Sequence, residues 1–223
     1  MKRPLVFHLA DHHMAEGFRA FFKRNDWHFK LGCAQFEFDP DSERDLYRVP
    51  GCTDPGLLSD AHDNLRSHQH THERAIVIIG AQFPGTPGID DAGAAEIRRR
   101  ILANLRSSGW RENYIEVVVI QPMLEAWLWS ESDYVSSVFG VSRFDDLRAK
   151  LVKEGVWEKG ASKPRDFKQA TALARRIKQR VSGAALFRKV FTCRRSLADC
   201  AEPGFIRLRS TLRTWFPPKG GAG

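Results

Sequence analysis

The sequence predicts an α/β fold: a mostly parallel sheet of about four strands flanked by helices, followed by an all-helical basic region. Three observations lead there. Strand-like and helix-like segments alternate through the first 140 residues. Two of the strand-like runs, RAIVIIGA (74–81) and YIEVVVIQP (114–122), contain continuous apolar, β-branched stretches, as strands covered on both faces do. Beyond residue 144 every periodic segment reads as helix. At 223 residues the chain suffices for one generous domain with an appendage. The expected division is an α/β domain at 1–140, a helical region packed on it at 141–217, and a frayed tail at 218–223.

The elements follow in order. PLVFHLA (4–10) is a short apolar first strand. MAEGFRAFFKR (14–24) places Met14, Phe18, Phe21 and Phe22 at helical spacing, with Arg19, Lys23 and Arg24 turned away. CAQFEFD (33–39) alternates like a half-buried strand with Phe36 and Phe38 on one side. The turn-rich PGCTDPG (50–56) leads into a polar helix near 56–69, and the run 74–81 is then a central strand. After the loop QFPGTPG (82–88), Asp90 or Asp91 caps a helix over 92–110 whose Ile97, Ile101 and Leu105 form an apolar stripe. The second central strand closes at Pro122, and QPMLEAWLWSES starts a further helix. On that helix Leu124 and Leu128 face the core. Trp127 and Trp129 lie about 200° apart, so one is expected at a junction beneath the later helices. Helices are expected over 144–155, 164–181, 183–191 and 202–216.

The formal charge is +8, but it is unevenly placed. Residues 1–140 carry a net −5 and residues 141–223 a net +13. Such a split points to a basic surface that meets an anionic partner, most often nucleic acid. Arg175, Arg176, Lys178 and Arg180 cluster in ARRIKQR; Arg207, Arg209 and Arg213 recur in IRLRSTLRTWF. Arginine suits phosphate because its planar fork donates two bonds and stays charged. The competing reading is a solvated face, with Leu208, Leu212, Trp215 and Phe216 packing inward. No run of eighteen apolar residues exists, so no membrane partner is expected. Four scattered cysteines without a CxxC pair read as reduced thiols of a cytoplasmic protein.

Ligands of open parallel sheets sit outside the carboxyl ends of the strands. The polar residues placed there are Asp11, His12 and His13, the Gly80–Gly88 loop, and Gln121 to Glu125. Two carboxylates converging at such an edge hold Mg²⁺ through hard oxygens, and the metal activates water against a phosphodiester. Asp11 and Glu125 have that placement, with Asp54 or Asp91 able to complete a set. The run HQHTH (68–72) lacks a third ligand type and reads as a solvated loop. GTPG lacks the lysine and hydroxyl of a phosphate loop.

The ordered set VFHLADHHMAEGFRAFF, PGCTDPG, RAIVIIGAQFPG, QPMLEAWLWSES, GASKPRDFKQA and LRSTLRTWFP resembles the small accessory proteins of bacterial methylation-associated anti-phage defence systems, from about residue 4 to 217. The sheet portion also looks like a TOPRIM-type fold, the Mg²⁺-binding α/β domain of topoisomerases, primases and some defence nucleases. Asp11, Asp54 and Glu125 match the family pattern. That pattern has further acids after the third strand, where this chain has Gly80, Ala81 and Gln82, and one at the position of Met123.

The resemblance implies restriction of foreign DNA alongside methyltransferase and other effector subunits. The first expectation is therefore an accessory component without a cofactor, working by binding DNA or a partner subunit through its arginines. Glu125 is then a remnant held by the helix dipole. The alternative is a Mg²⁺-dependent TOPRIM-like nuclease using Asp11 and Glu125, with Asp54 as a further metal ligand.

Overall fold

The computed structural model describes all residues except 52, 130–132, 178–181, 193–199 and 219–223. Four parallel strands form one sheet: β1 (Arg3–Leu9), β2 (Leu46–Tyr47), β3 (His72–Gly80) and β4 (Ile115–Ile120). Their order is β2-β1-β3-β4. Phe7 pairs with Leu46 on one side and with Ile76 on the other, and Ile76 pairs with Glu116. All of Ala75 to Ile79 are fully buried, as their uninterrupted apolar run requires.

The helices between the strands are α1 (His12–Phe22), α2 (Trp27–Leu31), α3 (Asp54–Asn64) and α4 (Asp91–Ser107). α1 covers the sheet face that carries Phe7, whose ring lies 5.8 Å from Phe18 and 5.1 Å from Phe22. α3 packs on β3 and α4 on β4, and the two helices pack on each other. After β4 come α5 (Glu125–Leu128), α6 (Asp133–Val138), α7 (Phe144–Lys153), α8 (Phe167–Ile177), α9 (Gly183–Thr192) and α10 (Pro203–Trp215). No strand occurs among the described residues after β4. These later helices return to the sheet domain: α8 to α5, α9 to α1, and α10 to β4 and α2.

Two local expectations are corrected. Residues 33–39 form no strand; the edge position beside β1 belongs to Leu46–Tyr47. Phe36 and Phe38 do share a buried side, but against rings rather than a ladder: Phe36 lies 4.9 Å from Trp27 and Phe38 4.6 Å from Phe22. A two-residue period reports one covered side and says nothing about backbone pairing. The second correction concerns His72, which is buried at the start of β3 rather than solvated. Its Nε2 lies 3.3 Å from Oδ1 of the buried Asp45, which also receives the Arg3 guanidinium and the Asp39 amide. Burial opposes charge on Asp45, yet the His72, Arg3 and Asp39 bonds prevail and bring its pKa to about 2.

Trp127 and Trp129 are both buried, in separate clusters. Trp127 meets Phe18, Phe191 and Phe205 from α1, α9 and α10. Trp129 stacks on Phe139 at 5.5 Å, and its indole N–H donates to Thr171 Oγ1 of α8 at 3.2 Å. Both are junction residues, because α5 ends at Leu128 and Trp129 already leaves the helical path.

Candidate functional site

The strand order fixes where a ligand site belongs. From β1 the chain moves outward to β2, then crosses back over β1 to β3 and continues to β4. The connections leaving β1 and β3 therefore diverge, which opens a crevice at their carboxyl ends. A pocket of about 390 Å³ lies at this edge, and Asp11, Asp54 and Glu125 all line it with His13, Gln82 and Lys168.

Each carboxylate arrives by a different route. Asp11 follows β1 and caps α1, its Oδ1 accepting the Met14 N–H at 2.9 Å. Asp54 opens α3, and its Oδ1 accepts the Gly80 N–H at 2.7 Å, tying the start of α3 to the end of β3. Glu125 opens α5 just past β4. The loop after β3 is fastened to the one after β4 by Pro122, whose carbonyl accepts both the Ala81 and Gln82 amides at 2.9 Å. Lys168 comes from the first turn of α8. His13 lies flat on Phe187 of α9, and its Nε2 would sit 2.6 Å from a Cβ at Gly183.

The electrostatics are those of crowded, partly desolvated acids. Burial pushes Asp54 up to about 6, against the pull of the Gly80 amide, and the charge of Asp11 adds to the rise. Glu125 is also raised, first by burial and further by the charge of Asp11, with its own backbone amide opposing most and Lys168 and His13 after it. Desolvation outweighs whatever one turn of α5 offers, so the expected helix-dipole stabilisation of Glu125 is not what dominates here.

Asp91 takes no part. It opens α4 and accepts the Gln121 amide at 3.0 Å, while Asp90 caps the helix through the Gly93 N–H. The arginines divide between two places. Arg175 and Arg176 end α8, which packs on α5 and α7; Arg207, Arg209 and Arg213 lie on α10, which packs on β4 and α2. Lys178 and Arg180 lie outside the described residues, as do Arg194 and Arg195. Cys33 and Cys200 are buried thiols pushed up to about 11 by burial, the opposite of an activated nucleophile. Lys168 has no signal in the sequence: only the packing of α8 on α5 carries it to the carboxylates.

The carboxylate oxygens of Asp11, Asp54 and Glu125 are donors of the type used by Mg²⁺. It takes hard oxygens, keeps several waters, and needs only one or two protein carboxylates beside a phosphate. The amide bonds from Met14 and Gly80 fall on Oδ1 of Asp11 and Oδ1 of Asp54. Among the described residues, no group of three or more His, Cys, Asp or Glu side chains is placed to hold a metal ion. No described helix is long and apolar enough to cross a membrane. The chain matches no family model, no curated protein and no solved structure.

Proposed function

We propose that this chain is a divalent-cation-dependent component of a bacterial anti-phage defence system. In this reading its TOPRIM-like core acts on a phosphodiester at Asp11, Asp54 and Glu125. The observation that carries the chemistry is the convergence of these three acids, from three different elements, on one pocket at the β1/β3 crevice. The defence role and the TOPRIM-like identity rest on the sequence resemblance. When bound, Mg²⁺ supplies Lewis acidity and a more acidic water. Asp11 and Asp54 are oriented for it by the Met14 and Gly80 amides. Lys168, in the lining of the same pocket, supplies the positive charge that a phosphate oxygen would meet.

A second reading keeps the protein as an accessory subunit that binds without cleaving. It is favoured by the structural work Asp11 and Asp54 already do, one capping α1 and the other joining α3 to β3. Mn²⁺ titration followed by nicking of supercoiled plasmid separates the two. Cation binding and nicking that both fall at least tenfold in Asp11→Asn and Glu125→Gln support the first reading. Cation binding without nicking supports the second. No cation binding by the wild-type chain removes the metal-dependent proposal.

A further inference from the structure

We propose that the outward face of α10 is a binding surface for the phosphate backbone of nucleic acid. This rests on α10 alone and holds whether or not the carboxylate pocket takes a metal. The helix buries Phe205, Leu208 and Leu212 and turns Ile206, Arg207, Ser210, Arg213 and Thr214 to solvent, with Arg209 half-buried. No acidic residue occurs from Pro203 to Trp215. At 100° per residue, Arg209 and Arg213 fall on one flank of this face and Arg207 on the other, around a neutral crest of Ile206, Ser210 and Thr214.

Both flanks are concave. On one side is a groove of about 530 Å³ in which Arg209 and Arg213 meet no lining carboxylate. The other side is a groove of about 910 Å³ that contains Arg207, Arg74 and Arg98. Its Glu116 is already held by the Arg98 fork at 2.8 and 3.2 Å, with Arg207 at 3.9 Å, so two guanidinium groups share that carboxylate, while its Glu112 pairs with Arg106 and its Arg74 with Glu73. The side chain of Arg213 is steadied by close packing on Gly32, where a Cβ would lie 3.3 Å from its Cδ.

The chemistry selects a polyanion. Arg207 to Arg213 span about 9 Å of helix, while one strand of a duplex places a phosphate every ~3.4 Å of its axis. Arg209 and Arg213, about 6 Å apart along the helix on one flank, thus match two phosphates of one strand, and Arg207 on the other flank faces a separate phosphate. An acidic protein is the poorer fit: its interface needs an apolar centre, and Ile206 is the single large exposed apolar residue on this face.

The test uses the whole chain in EDTA, so that failure of the metal site does not affect it. Binding of a 30-base-pair duplex is followed by anisotropy across salt for wild type, Arg207→Ala/Arg209→Ala and, as a control, Lys153→Ala at an exposed position of α7. The double variant is expected to lose at least tenfold in affinity at low salt. Its salt slope should fall by about 2, with an unchanged melting temperature. Lys153→Ala should stay within twofold of wild type. Three results overturn the proposal: no salt-dependent duplex binding by wild type, an equal loss in Lys153→Ala, or polyglutamate binding as tight as the duplex.

Discussion

Asp54 is held where an ionised carboxylate is costly, half-buried beside Asp11 with one oxygen on the Gly80 amide. Its folded pKa of about 6 lies above the ordinary 3.8, so its ionisation destabilises the fold as pH rises between those values. Asp54→Asn keeps the acceptor for Gly80 and removes the charge. Without metal above pH 6 this variant should be more stable by up to about 3 kcal/mol. In excess Mn²⁺ the gap should close, because only wild type gains from the cation. Calorimetry with and without Mn²⁺ checks this, and a less stable variant in EDTA would refute it. Strand-end reasoning alone leaves Asp54 and Asp91 as equal candidates. The difference between them is a hydrogen bond across 26 residues, which local pattern does not encode.

His8 shows the opposite sign. Burial, with the Tyr47 ring 5.0 Å away, lowers it to about 4; the Tyr47 backbone opposes in part and the charge of His68 adds to the fall. A neutral buried histidine contributes stability that is complete above the unfolded value near 6.5 and lost as pH falls toward 4. His8→Phe should flatten that limb of the stability curve, removing a loss of about 3 kcal/mol. Denaturant midpoints from pH 7 to 4 measure it. An unchanged acid limb in the variant would place the sensitive group elsewhere.

The long periodic elements could be read directly from sequence because burial stamps them uniformly. β3 is apolar and buried from Ala75 to Ile79 and β4 from Val117 to Ile120, and α4 carries its predicted Ile97, Ile101 and Leu105 stripe into the core. The failures have one cause. β2 is only Leu46–Tyr47, too short to carry a period, whereas 33–39 has the period without the pairing. Close approach is equally invisible in sequence. Gly204 lies in the first turn of α10, and a Cβ there would meet Val119 O at 2.6 Å. Helix propensity favours alanine over glycine by about 1 kcal/mol. Gly204→Ala should nonetheless destabilise, because backbone cannot yield as a side-chain tip can. A fall in melting temperature of roughly 2–6 °C is expected. A rise would mean that α10 shifts off β4 without cost.

The two oppositely charged halves of the sequence meet at the pocket, which is why neither half alone reveals it. Asp11, Asp54 and Glu125 belong to the acidic first 140 residues, and Lys168 to the basic remainder. Trp129 joins them: its bond to Thr171 anchors α8 one turn beyond Lys168, while Glu125 stands four residues before it. Removing the charge of Lys168 gives two effects of opposite sign. Lys168 lowers the pKa of both Asp54 and Glu125, so it opposes a cation at the same oxygens while favouring a phosphate beside them. Lys168→Met should therefore tighten Mn²⁺ binding severalfold and weaken phosphate binding at the Mn²⁺-loaded site. Thr171→Val should move both in the same directions but less, with a loss of about 1 kcal/mol in stability. A lysine that only packs would shift neither affinity, and parallel losses of both would mean that the pocket has collapsed. Titration calorimetry with Mn²⁺, then with inorganic phosphate at saturating Mn²⁺, distinguishes these outcomes.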